Sequence, residues 1–191
     1  MWQGVATREL EKEMDAIGLT RRSLLVGSGA LLATGCATTP PSPATPGAPI
    51  TLVSAFSGRI VGRGRFQVPL AGVDRGLRAV LNGQLSGDVL SVAEDFAFDD
   101  GERKHLTWRF TRIGTGAWTG RREDVVGEAQ VRELGHEIRL SYEADVAAKG
   151  STRRLQFADV LYRRADGVIV NDAVVRKAGI PVGSIHLEFS R

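Results

Sequence analysis

The chain has 191 residues, of which 42% are hydrophobic and 25% are charged, so it can build about one domain with a real core and is not disordered throughout. Its 25 Lys and Arg residues exceed the 22 Asp and Glu residues by only three, which does not indicate a nucleic-acid-binding protein. The single cysteine excludes an internal disulfide and any zinc site built from several thiolates.

The first segment, residues 1–35, has the pattern of a bacterial export signal. Arg21 and Arg22 precede an uncharged run that is shorter than the roughly 20 apolar residues needed to span a bilayer. The run ends in Leu-Ala-Thr-Gly directly before Cys36, which resembles the lipobox of bacterial lipoproteins. In that motif the cysteine is lipidated and becomes the mature N-terminus, so we predict lipidation at Cys36. The competing interpretation is a short buried helix with an ordinary core cysteine.

Two details of this signal stay open from the residues alone. The run Thr-Arg-Arg-Ser-Leu-Leu at residues 20–25 resembles a twin-arginine motif, and ordinary secretion is the alternative route. Met14 is an alternative start to Met1, because residues 1–13 add nothing that an export signal needs.

The second segment, residues 36–49, predicts a tether between the anchor and the folded domain. It holds five of the seven prolines, a composition that favours an extended chain and cannot form a core. Ala37, rather than an aspartate, follows the cysteine, which in lipoproteins generally favours sorting to the outer membrane. We therefore expect a lipid-anchored protein on the periplasmic face of the outer membrane.

The third segment, residues 50–191, predicts a single all-β domain. Glycine-containing turn signals recur about every 8 to 14 residues, and the residues between them alternate with period two. Leu106, Trp108 and Phe110, for example, alternate with polar neighbours. Such alternation places one face of each strand in a core and the other in water. We expect an antiparallel up-and-down β-barrel of about nine or ten strands.

Three polar residues, Glu94, Asp159 and Asn171, fall on the apolar faces of these strands. A lone buried carboxylate costs several kcal/mol, so each needs a base, a donor or a water-filled cavity. One interpretation is a structural network in which Arg122, Lys177 or backbone amides satisfy them. The other is an internal pocket, for which the candidate ligand-contacting residues are Glu94, Phe96, Phe98, Trp108, Tyr142, Asp159 and Asn171.

Motifs for cofactors, metals and covalent catalysis are missing from the sequence. His105, His136 and His186 are far apart, with no i,i+4 partner, so we predict neither a metal site nor a cofactor. No nucleophile elbow or phosphate-binding loop appears, so we name no catalytic residue. Gly62 shares a strand face with Ile60 and favours sharp curvature or a close approach of something inside the barrel.

Taken together, a spaced set of residues resembles the bacterial domain-of-unknown-function family numbered 3833. The set comprises Phe56-Ser57-Gly58, Glu94-Asp95-Phe96, Phe98, Asp100-Gly101, Trp108, Trp118-Thr119-Gly120, residues 123–129, Gly135, Tyr142, Phe157, Asp159, Tyr162, Asp166, Asn171, Lys177, Gly179 and Val182-Gly183. The resemblance implies a small envelope lipoprotein with a lipocalin-like β-barrel and brings no established activity. The chain departs from the family pattern at Arg122, Ala158, Val160, Asp172 and Ala178, as a divergent member would.

These observations lead to three hypotheses. The first is a non-enzymatic, monomeric outer-membrane lipoprotein whose lipocalin-like barrel binds a small apolar or amphiphilic, lipid-like ligand. We expect its partners to be the membrane, through the anchor, and that ligand, and not nucleic acid. The alternative is an envelope scaffold with a filled barrel. The third is a hydrolase or isomerase that pairs Glu94 with Asp124 or Asp159.

Overall fold

The computed structural model describes residues 40–43, 45, 47–148 and 151–191. Ten antiparallel strands close into one barrel, in which each strand pairs with its neighbours along the chain and the first pairs with the last. They are β1 Gly58–Val68, β2 Val73–Ser86, β3 Val89–Phe98, β4 Arg103–Gly114, β5 Ala117–Arg121, β6 Val125–Glu133, β7 Glu137–Ala148, β8 Ser151–Arg163, β9 Ile169–Lys177 and β10 Ile180–Ser190. The predicted all-β up-and-down barrel is confirmed.

A single α-helix in the described residues, α1 at Leu52–Phe56, precedes the first strand. It begins with a capping box, in which the Thr51 hydroxyl accepts a hydrogen bond from the Ser54 amide at 3.1 Å and the Ser54 hydroxyl accepts one from the Thr51 amide at 2.9 Å. A short 3-10 helix, Pro69–Ala71, connects β1 to β2. Leu52 and Phe56 belong to the same core cluster as the inward residues of the barrel, so α1 packs into one end of it.

No helix in the described ranges has the length and apolar character needed to cross a membrane.

We call the half of the barrel beside α1 the helix half, and the half beside residues 69–72, 99–102, 122–124 and 178–179 the loop half. The core of the helix half is almost inaccessible to water; its fully buried members include Ile50, Leu52, Ile60, Leu81, Leu90, Phe110, Trp118, Val131 and Ile138. The loop half has a smaller buried cluster of Ala144, Leu155, Phe157 and Val175, against which half-buried residues pack: Phe66, Val125, Tyr142, Val146, Val182 and Ile185. The two halves therefore differ in how completely they exclude solvent.

Close approach of aromatic rings to the wall depends on two glycines. A Cβ added to Gly62 would lie 2.5 Å from the Phe189 ring, and one added to Gly120 would lie 2.8 Å from the Phe110 ring. The close approach expected at Gly62 is thus made by Phe189. A barrel widens as strands are added, and about eight strands enclose a space that side chains just fill. Ten strands enclose more, so bulky rings and α1 are needed inside.

The predicted export signal, residues 1–35, and the predicted lipidation site, Cys36, lie outside the described residues. Described parts of the predicted tether contact the barrel: the Ser42 hydroxyl accepts a hydrogen bond from Arg139 at 2.8 Å, and the Gly47 carbonyl lies 2.7 Å from the His136 ring nitrogen Nδ1. Directly after this segment, the Ile50 amide donates to the Gly135 carbonyl at 2.9 Å. These contacts lead the chain to α1.

Candidate functional site

The alternation of the strands turns the predicted pocket residues toward the barrel interior. Glu94, Trp108 and Asp159 are buried, with 8%, 4% and 4% of their surface exposed. The others are half-buried: Phe96, Phe98, Tyr142 and Asn171. β3 pairs with β4 and β7 pairs with β8, and a contact between Trp108 and Tyr142 joins the two strand pairs across the interior.

Trp108 and Tyr142 are brought into direct contact. Their rings meet edge to face with centroids 5.2 Å apart, Trp108 also stacks on Phe110 at 4.9 Å, and Tyr142 stacks on Phe157 at 4.8 Å. Such ring pairs add to the stability that burial alone provides. Phe157 was not among the predicted pocket residues, although its place in the alternation of β8 beside Asp159 was a signal for it.

Phe96 and Phe98 form a separate pair within β3. Their ring centroids are 6.5 Å apart, and the Arg75 guanidinium lies 4.0 Å from the Phe98 centroid. Arg75 also binds Asp100 and Glu102 at 2.7 Å each. Among the described residues, no ring contact joins Phe96 or Phe98 to Trp108 or Tyr142, so these two phenylalanines line the edge of the loop half rather than the aromatic stack.

A buried guanidinium, that of Arg122, satisfies one of the inward acids. Its Nη1 donates to Glu94 Oε2 at 3.1 Å, and its Nε and Nη2 donate to the two carboxylate oxygens of Asp124 at 2.7 and 3.2 Å. The guanidinium also lies 4.5 Å from the Trp108 ring centroid and 5.4 Å from that of Tyr142. The structural network expected around Glu94 therefore exists, and Arg122 is the cation that pairs with this carboxylate.

Arg122 reaches the interior because the wall is incomplete between β5 and β6. These strands pair only along Ala117–Gly120, and β6 bulges between Val126 and Gln130, with Gly127 at φ +73°. The short connection folds back on itself, since the Val125 amide donates to the Arg122 carbonyl at 3.0 Å. Gly127 is exposed, because the bulge interrupts the alternation of β6.

The second inward acid, Asp159, has no bonded cation. Asn171 Nδ2 donates to Asp159 Oδ1 at 2.9 Å. The remaining oxygens of this pair, Asp159 Oδ2 and Asn171 Oδ1, are buried and have no hydrogen-bond partner. Leaving a buried polar atom unpaired costs about 1–3 kcal/mol, so the pair has an unfilled capacity to accept hydrogen bonds.

Burial dominates the electrostatics of these acids. It raises the pKa of Glu94 to about 7, although Arg122 acts in the opposite direction, and it raises the pKa of Asp159 to about 6. Burial likewise raises the pKa of the Tyr142 hydroxyl, which therefore stays neutral. Burial acts to lower the pKa of Arg122, but Tyr142, Glu94 and Asp124 together outweigh it and raise that pKa, so Arg122 stays charged.

We refer to Glu94, Arg122, Asp124, Asp159 and Asn171 as the polar cluster. When its three carboxylates are ionised, one guanidinium faces three negative charges, an excess of two. The cluster can therefore hold protons or a positively charged group in a space from which water is largely excluded.

Coordination of a metal by this site has no support from the geometry. Among the described residues, no group of three or more His, Cys, Asp or Glu side chains is arranged to hold a metal ion. His105 and His186 point outward, where their Nδ1 atoms lie 2.7 Å from Asp95 and Asp172, respectively.

One protein-family model matches the chain: the family described as "Protein of unknown function (DUF3833)" matches residues 30–191. No curated protein and no solved structure is similar enough to match.

Proposed function

The chain belongs to the DUF3833 family of proteins of unknown function, and from the geometry of its own barrel we propose that it is a non-enzymatic, lipocalin-like binding protein for a small amphiphilic ligand. The observation that carries the proposal is the unequal filling of the interior. The helix half is packed, whereas the loop half surrounds a polar cluster with half-buried apolar side chains.

The chemistry of the loop half suits an amphiphile. Small-molecule sites combine apolar walls with a few convergent polar groups that fix orientation. Phe66, Val182 and Ile185 offer partly exposed apolar surface in this half. Asp159 and Asn171 offer buried oxygens with no partner in the protein.

We further propose that the protein is anchored to the periplasmic side of the outer membrane through a lipidated Cys36 and acts as a monomer. Several acyl chains would anchor it firmly where a single one would not. The Cys36→Ser variant should then appear in the soluble periplasmic fraction after cell lysis. Continued retention in the membrane fraction would contradict the anchor.

Native mass spectrometry of the full-length protein, purified gently from the envelope, tests ligand binding. We expect a co-purifying small molecule on the wild-type barrel. The Ala144→Leu variant should lose it, because Ala144 is fully buried in the loop-half cluster and a larger side chain takes up interior space.

Ala147→Leu is the matched control, since Ala147 lies on the same strand with its side chain exposed. This variant should keep the bound molecule. A wild-type barrel that carries no ligand under any gentle purification would contradict the proposal, as would equal occupancy of the two variants.

The packing of the helix half favours a second candidate, a scaffold whose barrel is filled and which docks a partner through its outer surface. Leu52, Phe110 and Trp118 are at most 2% exposed, so side chains fill the core of this half. Crosslinking in envelope membranes followed by pull-down separates the candidates. A specific protein partner, together with a barrel that carries no small-molecule ligand, would favour the scaffold.

A further inference from the structure

The polar cluster also specifies which head group an amphiphile must carry. Asp159 Oδ2 and Asn171 Oδ1 both accept hydrogen bonds, and neither has a donor. A 2.9 Å hydrogen bond joins the carboxylate of Asp159 to the amide of Asn171, and the two free oxygens belong to these same two groups, so they lie close together. A group that satisfies them must bring N–H or O–H donors.

The balance of charge favours a cationic donor. The Arg122 guanidinium is bonded to Glu94 and Asp124, while the carboxylate of Asp159 is bonded only to the neutral amide of Asn171. A positive charge beside Asp159 would offset the excess negative charge of the cluster. A carboxylate, sulfate or phosphate head group would increase it.

The aromatic rings next to the polar cluster also favour a cationic head group. Aromatic faces attract cations, and Trp108 and Tyr142 already face the Arg122 guanidinium. Tyr142 stacks on Phe157, the residue two positions before Asp159 on the same face of β8. A cationic head group beside Asp159 therefore enters surroundings that are partly aromatic.

From these observations we propose that the ligand is a primary-amine amphiphile: its ammonium group donates to Asp159 Oδ2 and Asn171 Oδ1, and its apolar part lies along the half-buried residues of the loop half. This inference rests on the proposed binding function and narrows its ligand to one chemical class. It assigns Asp159 and Asn171 as the residues that determine specificity.

Calorimetric titration of the delipidated full chain with four ten-carbon probes, each below its micelle concentration, tests the proposal. The probes are decylamine, decyltrimethylammonium, decanol and decanoate. We expect decylamine to bind at least about tenfold more tightly than decanol, because charged hydrogen bonds to buried acceptors are strong. Decyltrimethylammonium should bind more weakly than decylamine because it has charge but no N–H donor, and decanoate should bind weakest.

Proton release gives an independent readout. Near pH 6.5 Glu94 and Asp159 each hold part of a proton in the free protein, whereas Arg122 is charged and Tyr142 is neutral. An ammonium group lowers the pKa of both carboxyls, so decylamine binding should release protons. The observed binding enthalpy should then depend on the ionisation enthalpy of the buffer.

The Asp159→Asn variant should reduce the preference for decylamine over decanol to within about twofold while still binding both. Asp145→Asn is the control, because Asp145 is paired with Arg154 on the outer surface, and it should keep the full preference. Circular dichroism of both variants checks that the barrel is folded.

The outcomes separate this inference from the function on which it rests. Binding of decanol or decanoate as tight as that of decylamine would overturn the amine assignment and leave a binding protein for another amphiphile. An unchanged preference in Asp159→Asn would overturn the role of Asp159. Failure of all four probes, together with an empty barrel in native mass spectrometry, would overturn the binding function itself.

Discussion

The helix half and the loop half of this barrel fill the same kind of interior in different ways. In the helix half a short helix enters the barrel end and the core is fully buried. In the loop half many of the side chains are only half-buried, and Arg122 enters from a turn to bind Glu94, which β3 supplies. Period-two alternation therefore builds the wall of this ten-stranded barrel. Segments outside the strands, namely α1 and the β5–β6 connection, supply side chains that fill part of its interior.

The largest loss of stability should come from truncating a buried side chain in the helix half. Trp118 is 0% exposed and donates from its indole nitrogen to Glu133 at 3.0 Å, and Glu133 also accepts from the Leu52 amide at the start of α1. Trp118→Ala should lower the free energy of unfolding by about 3–5 kcal/mol, as is usual for removal of a buried aromatic side chain.

Urea unfolding measures this loss. Leu134→Ala is the control at the same end of the barrel, since Leu134 is 55% exposed, and its effect should stay within about 0.5 kcal/mol. A loss below about 1 kcal/mol for Trp118→Ala would mean that the helix half is not the tightly packed half.

The next largest loss of stability should come from removing Arg122, the only cation of the polar cluster. Arg122→Met removes the partner of Glu94 and Asp124 and should cost about 3 kcal/mol at pH 8, because a buried charge left without its partner is strongly destabilising. At pH 5.5 the cost should be smaller, since Glu94 then carries a proton.

The neighbouring residue provides a control for this variant. Arg121 is exposed and pairs with Glu128 on the outer surface, so Arg121→Met should cost no more than about 1 kcal/mol at either pH. Equal losses for the two variants in urea unfolding would show that Arg122 does not hold the cluster together.

An effect of similar size should appear in the pH dependence of the wild-type protein. The pKa of Glu94 rises from its ordinary value of 4.5 to about 7 on folding, so between these values the folded state binds more protons than the unfolded state. The contribution of Glu94 to stability is therefore greatest below pH 4.5 and is lost as the pH rises to about 7.

We expect this contribution to be about 3 kcal/mol, since the pKa rises from 4.5 to about 7 and one pKa unit corresponds to about 1.4 kcal/mol. Asp159 acts with the same sign at slightly lower pH, because its pKa rises from 3.8 to about 6. Urea unfolding between pH 4.5 and 8 should therefore show a flatter profile for Glu94→Gln than for the wild type. The exposed-face variant Glu128→Gln should keep the wild-type slope; an identical slope for Glu94→Gln would contradict the prediction.

The smallest effect should come from the cap of α1. Thr51→Ala removes the hydroxyl that accepts the Ser54 amide and should cost about 1 kcal/mol. Thr51→Ser keeps a hydroxyl and should cost less. Thermal unfolding of the two variants compares them, and equal melting temperatures would show that the cap does not stabilise α1 in the barrel end.

The sequence predicted much of this architecture because its signals are local. Alternation in β3 turned Glu94, Phe96 and Phe98 to one face, and turn glycines separated strands that then paired with their neighbours. The need of Glu94 for a partner also made Arg122 one of the candidates, beside Lys177 and backbone amides, and Arg122 is the one that binds it. Each of these inferences depends on one strand or on one physical requirement.

The contents of the site were harder to predict. Arg122 points inward because the β5–β6 ladder is short and β6 bulges at Gly127. Both features arise from the pairing of strands, so the alternation of residues in the sequence does not indicate them. The unpaired oxygens of Asp159 and Asn171 depend on which side chains fail to reach them across the barrel. The sequence of a single strand does not show whether a side chain from another strand donates a hydrogen bond to these oxygens.

By itself, then, the sequence determined the strands, their inward faces and the acids that would enter the interior, because period two and burial cost are properties of single strands. Only the tertiary structure decided that α1 would fill one end, that Arg122 would bind Glu94 and Asp124, and that Asp159 would keep an oxygen free. The physical reason is closure: ten strands enclose more space than their own side chains fill, and what occupies the remainder is settled across the barrel rather than along the chain.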